Sequence, residues 1–223
     1  MTETNWRDLK PMDIEHRSFE IIGTELAQRG ITGIPEEQLP VVKRVIHTSA
    51  DFDYAQNLYF SPDAVKRGLA AIANGAHVVT DTKMAWSGIN KNMLAKFGGD
   101  AVCYVSDSDV EAKAKELGIT RAAVSMDKAC NVPDPLIIAV GNAPTALLRL
   151  RELLDEGKIK PALVIGVPVG FVNVVESKEE IISSEVPCIV ARGRKGGSNV
   201  AACIVNALMY EAAKQRDLSR VTS

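Results

Sequence analysis

Aromatic residues make up only 5% of this 223-residue chain, so its core has to be built from aliphatic side chains. Histidine is scarce: His16, His47 and His77 are all there are. The four cysteines, Cys103, Cys130, Cys188 and Cys203, stand far apart, with no CxxC and no Cys/His group at zinc-ligand spacing. A resident metal is therefore not expected, and three of the thiols sit in apolar contexts and read as small buried hydrophobes in a reducing compartment. Excess charge is also missing. Lysine and arginine number 26 against 28 acidic residues, a net charge of −2, which argues against a nucleic-acid surface. No apolar run approaches the ~18 residues of a membrane helix. The opening Met1-Thr2-Glu3-Thr4-Asn5-Trp6 has no apolar leader. The expectation is a cytoplasmic protein without a membrane partner. Neither GxGxxG nor GxxxxGK[ST] occurs.

What is present is an alternation of strands and helices. Five short, continuous apolar runs lie at 76–80, 101–105, 136–140, 162–167 and 188–191. Continuity without polar alternation marks strands covered on both faces. Helical periodicity follows or separates them at 109–117, 121–130, 144–156, 177–183 and 199–213. Ser108 with Glu111 and Ser177 with Glu180 have capping-box spacing. This predicts an α/β fold, a three-layer α/β/α sandwich on a mainly parallel five-stranded sheet. The first 75 residues read as helical: one helix over 13–29, a second opened by Pro35 and a third opened by Ser61-Pro62. With no linker or repeat, 1–223 is expected to be a single domain, a helical part over 1–75 and a sheet part over 76–223.

Ligands of such folds sit beyond the carboxyl ends of the strands, and the loops there carry the candidates. The last is Arg192-Gly193-Arg194-Lys195-Gly196-Gly197-Ser198, three cations and three glycines between a strand and a helix start. It suits a polyanion, because glycine admits close backbone approach and a helix start carries partial positive charge. Gly141-Asn142-Ala143-Pro144-Thr145 serves equally as an ordinary strand-to-helix turn or as a site contributing Asn142 and Thr145. In Gly166–Asn173, the apolar Val169, Phe171 and Val172 either cap the core or line a pocket for a flat apolar ring. Among titratable groups, His47 ends the second helix and is either a helix-end charge or a general acid or base. His77 reads as structural and His16 as solvated.

These segments resemble the precorrin-8X methylmutase family of corrin (vitamin B12) biosynthesis, which includes cobalt-precorrin-8 methylmutases. The resemblance is carried by Arg17-Ser18-Phe19, Val45-Ile46-His47, Phe60-Ser61-Pro62-Asp63, Gly141-Asn142-Ala143-Pro144-Thr145-Ala146-Leu147, Gly170-Phe171-Val172 with Glu176-Ser177-Lys178, and the 192–198 loop. It implies a flavodoxin-like fold and a homodimer whose subunits share each active site. The implied reaction moves a methyl group from C-11 to C-12 of a corrin precursor by a [1,5]-sigmatropic shift. His47 matches the histidine that protonates the macrocycle, and Ser18 a substrate-binding serine. Arg17, Arg121 and the 192–198 loop fall where substrate carboxylates would be held. No cofactor is implied; any cobalt arrives in the substrate, and the segments Met12–Glu20 and Asn173–Lys178 look more like the cobalt branch. Two other readings stay open, a flavin- or nucleotide-binding module and a non-catalytic corrinoid carrier.

Overall fold

The computed structural model describes residues 11–221; the stretch Met1–Trp6 read above lies outside them. All five apolar runs form strands, and a sixth strand precedes them. In chain order they are β1 (Leu58–Phe60), β2 (His77–Thr80), β3 (Asp100–Val102), β4 (Leu136–Val140), β5 (Leu163–Gly166) and β6 (Cys188–Ala191). They form one sheet in the order β1-β6-β5-β4-β2-β3. The five expected strands are parallel to their neighbours, whereas β1 runs antiparallel to β6. The five-stranded expectation is thus corrected to six. Leu-Tyr-Phe is three residues at a sheet edge, too short for any periodicity to reveal.

The helices are α1 (Pro11–Gln28), α2 (Leu39–Ser49), α3 (Tyr54–Asn57), α4 (Ala64–Ala73), α5 (Lys83–Gly88), α6 (Lys91–Ala95), α7 (Ser108–Leu117), α8 (Arg121–Ala129), α9 (Pro144–Asp155), α10 (Val174–Ser183) and α11 (Ser198–Val221). Several starts differ from expectation. Pro35 lies in the turn before α2, and Pro40 takes the first-turn position instead. Ser61 does not cap α4; its hydroxyl accepts from the backbone N–H of Cys188 (2.8 Å), fastening the chain to β6. Ser108 lies inside α7, and Ser177 is buried inside α10, donating to the carbonyl of Val174 (3.0 Å). Neither capping box forms.

Strand residues alternate between the two faces. Ile137 and Ala139 join a core with α1, α2, α4 and α11. Leu136, Ile138 and Val140 join a second core with α8, α9 and α10. Each fully buried Ile or Leu contributes about 1.5–3 kcal/mol, so aliphatic packing on both faces dominates stability. Val41, Val42, Val45 and Ile46 bury the inner stripe of α2 against α11, which leaves the C-terminal end of α2, with His47, at the surface.

Candidate active site

Four loops converge at the carboxyl ends of β2, β4, β5 and β6. The strand order reverses between β2 and β4, where doubly wound folds usually open a ligand crevice. Here a carboxylate fills it. Asp81, the residue after β2, is 1% exposed. It accepts the backbone N–H groups of Gly141 (2.9 Å), Asn142 (2.8 Å) and Ala143 (2.7 Å). Burial pushes its carboxyl up and the three donors pull it down. Burial outweighs the donors and leaves the Asp81 pKa raised; the bonds shape the loop after β4 and occupy three backbone N–H groups that a nucleotide phosphate would otherwise use. The flavin reading loses its usual place.

The loops after β4 and β6 touch backbone to backbone. A Cβ on Gly141 would stand 2.6 Å from the Cα of Ser198 and 2.8 Å from the carbonyl of Gly197. Gly196 is held as closely; a Cβ there would lie 2.1 Å from the carbonyl of Val167. Both glycines are therefore required by the chain itself. Gly197 donates to the same Val167 carbonyl (2.8 Å). The Ser198 hydroxyl, at the start of α11, pairs with that of Thr82 (2.8 Å), which also caps α5. Asn142 leaves its side chain exposed. The Thr145 hydroxyl pairs with Thr120 (2.7 Å), the cap of α8, beside exposed Arg121. Asn142, Thr145 and Arg121 thus lie at the adjoining starts of α8 and α9.

The basic loop is held differently at each cation. Arg194 stacks on Phe171, 5.2 Å from guanidinium to ring centre. Arg192 stacks on Tyr59 (5.0 Å) and pairs with Glu179 (3.3 Å). Lys195 is held by two carboxylates, Asp51 and Asp53, each at 2.6 Å; these hydrogen bonds raise its pKa and lower that of Asp51. Asp51 and Asp53 follow α2, so the pair binds the basic loop to the segment just beyond His47. Sequence spacing of 144 residues gave no sign of it.

His47 is exposed on the last turn of α2, its ring edge on Phe19 of α1 (centres 5.5 Å apart, planes at 79°). No hydrogen bond to another described side chain restrains it. Ser18, next to Phe19, donates to the carbonyl of Ile14 (2.9 Å) rather than to His47. Arg17 is exposed on the same helix. Arg44 turns away to Glu15 (2.5 Å) and lies between the rings of Phe19 and Tyr210. His77 bonds Asp100 across β2 and β3 (2.6 Å), the structural role expected. The structure therefore joins α1, α2 and the basic loop; the Arg121 group lies at the starts of α8 and α9, next to the Gly141 turn that presses on Ser198 of that loop.

Core capping by the loop after β5 is overturned. Phe171 is 81% exposed and Val172 77%, so this loop presents apolar side chains to solvent. One further group was hidden from sequence reasoning. Lys178, given no role within the 176–178 segment by its sequence, stands amid Glu176, Glu179 and Glu180, yet it is 0% exposed beneath the basic loop. Among the described residues, no three His, Cys, Asp or Glu side chains gather at metal-binding distance, and no helix is long and apolar enough to cross a membrane.

Comparison with known proteins identifies the family. The family model described as precorrin-8X methylmutase matches residues 13–211. A cobalt-precorrin-8 methylmutase of Priestia megaterium is 49% identical over 207 residues, covering 93% of this chain and 91% of the relative. One from Salmonella typhimurium is 45% identical, covering 90% and 95%. The crystal structure of precorrin-8X methylmutase from Thermus thermophilus superposes with a TM-score of 0.83 at 40% identity, over 91% of this chain and 98% of that one. By its sequence and its fold, the chain belongs to the precorrin-8X methylmutase family.

Proposed function

We propose that this protein is the methylmutase that converts cobalt-precorrin-8 to cobyrinate in cobalamin biosynthesis, moving a methyl group from C-11 to C-12. The observation that carries the site assignment is the Lys195 bridge to Asp51 and Asp53, which gathers the one exposed histidine of α2 and the anion-suited loop into one region. As the C-11–methyl bond breaks, the C-12–methyl bond forms and the ring π-electrons shift. The reaction is an isomerisation and consumes nothing. His47 lends a proton to the macrocycle while the electrons reorganise, and the proton returns to His47 or to solvent. Arg194 and outward backbone N–H groups of the loop take substrate carboxylates, by charge-assisted hydrogen bonds. Phe171 and Val172 meet the apolar ring face. No cofactor of the protein's own is needed in this scheme, and any cobalt belongs to the substrate.

The test is incubation with methylated precorrin-8, with and without cobalt, following the absorption of the rearranged corrin. We expect rearrangement of the cobalt form at least as fast as of the metal-free form, because the relatives from Priestia and Salmonella carry the cobalt name. Tight binding of the product without turnover of either form would favour the corrinoid carrier.

The site is proposed to be completed by a second subunit. His47 ends α2 and the Arg121 group begins α8 and α9, different elements of one chain, and a bulky corrin has to engage both. Light scattering should give about twice the 24.0 kDa chain mass; a fully active monomer would require one chain to supply every group.

A further inference from the structure

We infer that Lys178 is the positioning residue of the anion-binding loop, setting its backbone from below and supplying a buried positive charge to the ligand carboxylate. The inference rests on the reading that the 192–198 loop holds substrate carboxylates. The Lys178 ammonium donates to the carbonyls of Gly193 (2.7 Å) and Lys195 (2.8 Å). In a trans peptide the carbonyl and the following N–H point in opposite directions. Drawing those two carbonyls inward turns the N–H groups of Arg194 and Gly196 outward. Neither has an acceptor among the described residues. Two outward N–H groups with one residue between them, over a cation, form an anion-binding concavity.

The charge beneath this concavity lacks a partner. Helix α10 packs on α9 and β6, and the carboxylates nearby are taken. Glu179 pairs with Arg192 and Glu180 with Arg151; Asp155 also pairs with Arg151, and Glu152 with Arg149. Asp51 and Asp53 hold Lys195. Glu176 is exposed, and on β6 the Cys188 thiol is pushed up to about 11 by burial, so it stays neutral. Desolvation alone acts on Lys178 and lowers its pKa to about 8. An uncompensated buried cation is costly, and an anion on the loop would offset that cost.

Alkaline pH separates the two roles. A neutral amine still has two N–H donors for the two carbonyls, so raising the pH removes the charge and leaves the loop's shape. Lys178→Met removes both charge and donors while keeping most of the stem. Cobyrinate would be titrated at pH 7.0 and 9.5 into wild type, Lys178→Met and Arg194→Ala, with melting curves for each. Wild-type affinity should fall on the order of tenfold between the two pH values, as expected when one partly screened charge is lost. Lys178→Met should bind about tenfold or more weakly at pH 7.0, show no fall at pH 9.5, and raise KM more than it lowers kcat. Arg194→Ala should bind weakly at both pH values, losing roughly one to two orders of magnitude, and keep the pH dependence. Wild-type affinity equal at both pH values, or Lys178→Met binding like wild type, overturns the inference while a weakened Arg194→Ala leaves the loop assignment standing. Unchanged binding by both variants removes the loop assignment itself. Should Lys178→Met fail to fold, the wild-type and Arg194→Ala comparison across pH still decides.

Discussion

Replacing His47 by alanine is expected to lower turnover by about 100- to 10,000-fold, the usual contribution of a general acid or base. The fold should survive. His47 is exposed and makes no described side-chain hydrogen bond, so truncation costs only its edge contact with Phe19, about 0.5–1.5 kcal/mol. Product affinity should change little, because the proposed carboxylate holder is the 192–198 loop. The measurement is single-turnover rearrangement beside product titration and thermal melting. Wild-type turnover in His47→Ala would remove the proton-donor assignment and leave the family membership untouched.

The second large effect concerns Asp81. Asparagine has nearly the same shape but one acceptor oxygen, and its NH₂ would confront the donors now bound to Asp81. Asp81→Asn is therefore expected to lose one or two charge-assisted bonds to the loop after β4, about 2–4 kcal/mol. For a chain of this size that lowers the melting temperature by roughly 5–15 °C. Because Gly141 presses on Ser198, the displaced loop should disturb the basic loop as well, so turnover should fall although Asp81 touches no substrate. An Asp81→Asn protein with wild-type melting and turnover would show that these bonds do not shape the site.

Much of this architecture was legible beforehand. The parallel strands announced themselves as continuous apolar runs, because burial on both faces leaves no room for polar alternation. The basic loop and His47 were visible because unusual residue types stand at element ends. What escaped was nonlocal. Lys178 sits in a run of glutamates, and only the β6 loop folding over it shows that it is buried. Asp81 resembled any residue after a strand; its three N–H donors lie 60 residues or more away in sequence. Ser61 has the form of a helix cap, but the antiparallel edge strand beside it redirects its hydroxyl to Cys188. Short-range chemistry was overruled wherever a distant backbone offered a better partner.

The edge strand also bears on how the chain acquires its site. Phe60 pairs with Ile189, and Leu58 with Ala191, so the segment just past His47 finds its place only after most of the chain exists. Closing so long a loop is entropically costly and slow to reward. During synthesis β5 would present an unpaired edge until β6 emerges, and β6 until β1 docks on it, each a template for wrong association. Strand β1 is the clasp of the sheet: its docking covers the open edge of β6 and brings the segment after His47 to the basic loop. Assembly of the fold and appearance of activity should therefore be one late event, with no active half-chain preceding it.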